Sequence, residues 1–549
     1  MFWKSNQTVH RIVALTVMFA MVALAAVQIG CEQDTSVKGV RLSQQTDYKA
    51  SKAAKSMLPT EGVGAAIDEL ELAPEFNTET YDEIVENEFL DALNNPKSTF
   101  SIDVDTASYS NVRRMIRAGQ KPPVGAVRIE EMVNYFDYDY PQPTGEHPFS
   151  VTTNLAQCPW NSDHQLVRVG LKGKVVEADA RPSANLVFLL DVSGSMNRSN
   201  KLPLVKQALK MLVRNLENRD RIAIVVYAGA SGVVLPSTRC DESQKIVDAL
   251  DRLNAGGSTN GGQGIELAYR IAARNYQKDG INRVILCTDG DFNVGTTNQS
   301  QLIDLIQDKA KSGVFLSVLG FGTGNYKDST MEKLADKGNG NYSYIDGLLE
   351  AKKSLVQQMS GTLMTIAKDV KIQIDFNPAR VGAYRLIGYE NRMLANKDFA
   401  DDTKDAGEIG AGHTVTAIYE LVPAGLDSPA IKDSGSQFVE TRLKAAATTS
   451  DTMLTVSLRY KQPDGDTSQE FQVALNQPSD VSPEPLAGDF RFAASVAAFG
   501  MVLRDSQFKG TADWNWIIDA AAENIGNDKG GFRGEFVQLA REAEMVCAK

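Results

Sequence analysis

The chain has 549 residues, too many for one ordinary hydrophobic core, so about two to four domains are expected. Its 43% hydrophobic and 23% charged residues exclude both a disordered chain and a multi-span membrane protein. A formal net charge of -12 opposes attraction to nucleic acid or anionic lipid, which leaves protein or cations as the expected partners.

Residues 1-30 have the three parts of an export signal. Lys4 and Arg11 are basic, Ile12 to Val27 is apolar, and Gln28-Ile29-Gly30-Cys31 resembles a lipobox. There a small residue precedes a cysteine that becomes diacylated, which makes Cys31 the expected lipidation site; Gln28 departs from the apolar residue usual at its position. Cleavage near Ala25, or an uncleaved anchor, are the other readings of this segment, and all three put the rest of the chain outside the cytoplasm. The expectation is a bacterial cell-envelope protein, lipid-anchored to a membrane, with its folded part in the periplasm or at the cell surface. No later segment has the roughly 18 uninterrupted apolar residues of a spanning helix, so channel activity is not expected. Residues 31-80 read as a lipidated flexible tether, because Glu32 to Phe76 is polar and without apolar period. Roughly 45 such residues span about 35 to 40 Å. Cys158, Cys240, Cys287 and Cys547 show no disulfide framework, and Cys287, inside an apolar run, reads as a small buried hydrophobe.

Residues 81-180 form an N-terminal flank of helices and strands. Ile84, Phe89, Leu90 and Leu93 predict an acidic amphipathic helix over Tyr81 to Asn94. Ser101 to Asp105 alternates like a strand, Ser108 to Ala118 and Val127 to Phe136 read as helices, and Gln165 to Leu171 as a strand. Over 184-362 the pattern becomes regular. Apolar strands at Leu186 to Leu190, Ile222 to Tyr227, Val284 to Cys287 and Val314 to Leu319 alternate with helices such as Leu204 to Leu216 and Ile265 to Tyr276. Continuous apolar strands between helices predict an α/β fold, a doubly wound, mostly parallel sheet covered on both faces. Over 366-480 the alternating runs Val370 to Phe376, Val415 to Leu421 and Leu454 to Tyr460 predict a β-rich domain of sandwich type. Strands on both sides of the α/β module imply that it is inserted in that domain. Residues 486-549 are helical, with apolar stripes at Phe492, Val496, Phe499, Leu503 and at Phe536, Leu539, Ala543, Val546.

The chemistry gathers after the module's first strand. Asp191-Val192-Ser193-Gly194-Ser195 lies where open parallel sheets place their ligand sites. Gly256-Gly257-Ser258-Thr259-Asn260 precedes a helix, and Thr288-Asp289-Gly290 follows another strand. Hydroxyl and carboxylate oxygens without His or Cys suit a hard cation, Mg2+ or Ca2+ or Mn2+, and not zinc. These three loops resemble the metal-ion-dependent adhesion site of von Willebrand factor A domains. The resemblance implies that Ser193 and Ser195 ligate directly, that Thr259 does so in the ligand-occupied state, and that Asp191 and Asp289 act largely through waters. It further implies an ion that accepts a carboxylate from a protein partner. Ile129-Glu130-Glu131-Met132-Val133-Asn134-Tyr135-Phe136 and Gly488-Asp489-Phe490-Arg491-Phe492 resemble the flanks of YfbK-type bacterial lipoproteins, so the likeness extends over roughly residues 80 to 549.

Rival motifs are weaker. Gly256 to Gly264 lacks the lysine of a phosphate loop, and Asp289, Asp291, Asn293 begin an EF-hand pattern that Val294 and Ser300 break. Asp103 and Asp105 read as a strand edge, and His10, His147, His164 and His413 form no ligand cluster. The function expected is partner binding in adhesion, scaffolding or assembly, without catalysis. The alternatives are an envelope hydrolase using Glu408, His413 and the acidic run Asp398 to Asp405, or a scaffold whose metal site is silent.

Overall fold

The computed structural model describes residues 79–102, 105–176, 180–257, 261–290, 299–324, 326–358, 361, 363–404, 406–426, 428, 438, 441–478 and 482–548. Cys31 and the signal and tether segments lie outside them.

The expected helix at Tyr81 to Asn94 does not form. Residues 81–89 run as an extended strap into strand β1, Leu90–Asp91. Asp82 and Glu86 would repel one turn apart on a helix, while long-range partners hold the extended form. Thr80 bridges Lys327. The Asn87 amide donates to the carbonyls of Leu386 (3.1 Å) and Gly388 (2.8 Å). The next strand also differs from expectation: β2 is Lys97–Ser101 and ends where Ser101 to Asp105 was expected to begin. Helices α1 (Ala107–Arg117) and α2 (Ile129–Asn134) follow, then strands β3 (Phe149–Gln157) and β4 (Gln165–Gly173).

The α/β module comes next. Its elements are β5 (Ala184–Asp191), α3 (Leu202–Asn215), β6 (Arg221–Tyr227), β7 (Ser231–Arg239), α4 (Ser243–Asp251), α5 (Gly261–Arg274), β8 (Ile281–Thr288), α6 (Gln299–Lys311), β9 (Phe315–Phe321), α7 (Asp328–Lys337), β10 (Tyr342–Ile345) and α8 (Leu348–Lys352). The sheet order is β10-β9-β8-β5-β6-β7, parallel except for the edge strand β7. All eight residues of β5 are buried, because helices cover both faces. Two of those helices make the rule plain: Val205, Ala208 and Leu212 of α3 pack on one face, and Ile265, Ala268 and Ala272 of α5 on the other.

After the module the chain returns to β structure: β11 (Thr365–Phe376), β12 (Val381–Ile387), β13 (Met393–Leu394), β14 (Ile409–Gly410), β15 (Thr414–Pro423), β16 (Thr452–Lys461) and β17 (Ser468–Asn476). One antiparallel sheet is β1-β12-β15-β4-β3 and the other β13-β2-β11-β16-β17, with β14 on β11. Val167, Val169 and Leu171 from the first meet Ile372, Ile374 and Phe376 from the second in one core, the alternation a sandwich demands. Both sheets combine strands from before and after the module, so the insertion is as expected. Helices α9 (Gly488–Arg504), α10 (Trp514–Glu523) and α11 (Phe532–Cys547) join α1 and α2 over the outer face of the first sheet, burying Tyr135, Phe492, Phe499 and Phe536 against Leu166 and Ile418. Cys158, Cys240, Cys287 and Cys547 are unbridged, and Cys287 is fully buried. Among the described residues no helix is long and apolar enough to cross a membrane.

Candidate metal site

Asp191 is the last residue of β5, where the sheet order sends its neighbours β6 and β8 to opposite sides and leaves a crevice. Its side chain is fully buried and accepts the Ser193 backbone N–H at 2.8 Å. That bond tightens the turn and turns the following residues back over the strand end. The Ser193 and Ser195 hydroxyls converge to 3.0 Å. They hydrogen-bond to each other at that distance. It is also the separation of two oxygens about 2.1 Å from an octahedral ion and at right angles, so a hard cation can replace that hydrogen bond without moving either hydroxyl far.

The second loop is stitched to the first by Gly256 N–H to Val192 O (2.7 Å) and Gly194 N–H to Gly257 O (3.0 Å), with Gly257 at a positive φ of 94°. Thr259 itself lies outside the described residues. The third loop brings Asp289, fully buried, from the end of β8. Gly290, at φ 92°, lets the chain pass the backbone of Tyr326 and Lys327, where a Cβ would meet atoms at 2.8 Å. The donor set is oxygen throughout, and burial of two carboxylates leaves charge for a cation to neutralise. Burial pushes the Asp191 carboxyl up to about 6, the Ser193 hydrogen bonds oppose that rise, and the Asp289 charge adds to it.

Sequence reading missed Lys201. It stands at the start of α3, is 3% exposed, and its ammonium donates to Asp289 Oδ2 at 2.8 Å. A signal existed: a cation at a helix N-terminus opposes the helix dipole and needs a local reason. Asp191 belongs to the buried end of its strand and not to an exposed loop. Glu408 and His413 line one polar cavity of about 60 Å³ with Asp105 and Asp137. Asp401 and Asp402, in the acidic run, accept from Thr403, Arg459 and Ser468 at the surface.

A doubly wound sheet with these three loops at its carboxyl edge defines a von Willebrand factor type A module. The family model of that description, "von Willebrand factor type A domain", matches residues 185–358; one described as "von Willebrand factor" matches 75–168, and "Uncharacterized protein YfbK, C-terminal" matches 361–546. The chain belongs to the YfbK family: it is 41% identical over 516 residues to YfbK of Escherichia coli, covering 92% of this chain and 88% of that one. It is also similar to the Synechocystis protein sll0103 (30% identity, 38% of this chain, 48% of that one) and to mouse inter alpha-trypsin inhibitor heavy chain 4 (28%, 26% of this chain, 16% of that one). Among solved structures, von Willebrand factor type A from Catenulispora acidiphila aligns with 19% identity and TM-score 0.40 over 74% of this chain and 98% of that one.

Proposed function

We propose that this protein is a lipid-anchored component of the bacterial cell envelope that binds a protein partner through a divalent cation, Mg2+, Ca2+ or Mn2+. The observation that carries the reading is the 3.0 Å convergence of the Ser193 and Ser195 hydroxyls beside two buried aspartates. Ser193, Ser195 and Thr259 would hold the ion, with Asp191 and Asp289 acting on it largely through waters. When bound, the ion supplies a positive centre to which a partner's carboxylate can attach. The protein's own part is to keep hydroxyls in front and carboxylates behind, so that neutral oxygens face the ligand.

The hydrolase reading draws less support. The cavity that Glu408 shares with His413, about 60 Å³, has room for a few waters, and the larger open groove that Glu408 lines with Asp402 does not include His413. Burial also drives the His413 imidazole down to about 4, far below a neutral-pH base.

The test is a pull-down from solubilised envelope with wild type, Asp191→Asn and Thr259→Val, each with Mg2+ and with chelator. Asp191→Asn keeps the acceptor for Ser193 N–H and removes one charge. Partners should be lost with either variant and with chelator. Equal recovery in every arm would move the binding surface away from this edge of the sheet.

A further inference from the structure

The buried ammonium of Lys201 changes the charge count of the site. Its stem has a place made for it by the backbone: it lies against Gly322, where an added Cβ would collide with Lys201 Cε. Gly322 has φ 78°, and its carbonyl accepts the Tyr344 hydroxyl at 2.5 Å, which fixes the loop that makes room. The local energetics run against a lysine here. The residue is 3% exposed at a helix start, where the dipole is positive. Its compensation is the 2.8 Å bond to Asp289, itself fully buried.

Resting on the metal-site reading above, we propose that Lys201 is a resident counter-cation that withholds one carboxylate's charge from the metal, so that the loaded site keeps a net positive charge and selects an anionic ligand. Among the described residues, Asp191, Asp289 and Lys201 sum to one negative charge. A divalent ion turns that into one positive charge, which an incoming carboxylate neutralises. Without the ammonium the two aspartates would balance the ion alone, and an anionic ligand would gain nothing from net charge. Lys201 therefore trades metal affinity for ligand selectivity.

The experiment measures Mn2+ binding by the purified full chain, from the spectroscopic signal of free Mn2+, for wild type, Lys201→Met, Lys201→Gln and Lys201→Arg. Methionine preserves the stem against Gly322. Glutamine retains a neutral donor for Asp289 and serves if methionine leaves the chain unfolded. Both neutral variants should bind Mn2+ about ten-fold or more tightly than wild type, because a unit charge on a shared carboxylate outweighs the ~1.4 kcal/mol that ten-fold represents. Arginine should stay near wild type. Replacing chloride by acetate should raise the Mn2+ affinity of wild type more than that of the neutral variants. Equal or weaker Mn2+ binding by the neutral variants overturns the role of Lys201 while leaving the metal site standing. Failure of every protein to bind Mn2+ overturns the metal site and this role together.

Discussion

The guanidinium of Arg113 grips Asp346 twice, Nε to Oδ2 at 2.7 Å and a terminal nitrogen to Oδ1 at 2.6 Å. A helix of the N-terminal flank thereby holds the turn that leaves the module's last strand. The same cation reaches Glu350 of α8 at 2.8 Å and Glu535 of α11 at 3.1 Å, so three parts of the chain share one buried charge. Removing it strands the carboxylates, and Arg113→Met should cost about 3–5 kcal/mol, read as a lower denaturant midpoint. Burial already raises the Asp346 carboxyl while Arg113 holds it down. In the variant that rise goes unopposed. Stability is then fullest below the unfolded carboxyl value and is lost as pH rises through the folded one, so the deficit should shrink on acidification. A variant as stable as wild type at neutral pH would deny the cluster its clamping role.

His413 gives a pH signature of opposite sign. Its ring fills the space beside Gly361, where an added Cβ would collide with Cδ2. Burial lowers its pKa from 6.5 to about 4, with Lys172 and Lys353 adding to the shift and Asp137 opposing it. Between those values the unfolded chain takes up a proton that the folded chain refuses, so stability falls as pH falls through that window. His413→Gln should lose less of its denaturant midpoint than wild type between about pH 7 and about pH 5. Parallel losses in the two proteins would show that the folded imidazole takes up its proton as readily as the unfolded one.

The parts legible in the sequence are those whose causes are local. Strand β5 reads as a strand because its apolar run continues up to Asp191, and the three site loops follow strand ends that periodicity locates. The strap at residues 81–89 was illegible because its ties lie about three hundred positions away, as Asn87 to Leu386 does. Apolar spacing alone cannot tell a helix from a segment held extended by such partners. The edge strand β7 escaped notice for a different reason: its Val233 is exposed and Pro236 interrupts it, both marks of an edge. Lys201 was hidden because its partner, Asp289, stands 88 positions on, across the sheet.

The anchoring expectation has its own test at Cys31. A thioether-linked diacylglycerol with a further amide-linked chain supplies the two signals that stable membrane attachment requires. Cys31→Ser should move the protein from the membrane to the soluble fraction, or leave it unprocessed at a higher mass. Fractionation and mass spectrometry decide this, and an unchanged distribution with unchanged mass would remove the lipoprotein reading.

The last prediction concerns the packing beneath the metal site, where two effects of one methyl group compete. Gly264 lies within helix α5, and in an open helix Gly→Ala gains about 1 kcal/mol. Here the added Cβ would meet Tyr227 Cβ at 2.8 Å and Leu189 Cδ1 at 3.2 Å. Leucine can turn its methyl away, but the Tyr227 Cβ is fixed to the backbone of β6, so helix and strand must separate. Overpacking of that kind costs about 1–3 kcal/mol and should exceed the propensity gain. Tyr227 is the register partner of Asp191 in β5, so the displacement falls on the strand end that carries the site. Gly264→Ala should therefore lower the melting temperature and weaken Mn2+ binding together. Gly232→Ala is the control: it lies on the edge strand β7 with nothing within 4 Å of an added Cβ, and it should change neither. A Gly264→Ala protein that melts higher than wild type and binds Mn2+ as well would mean that the α5–β6 contact has slack, and that the site does not depend on it.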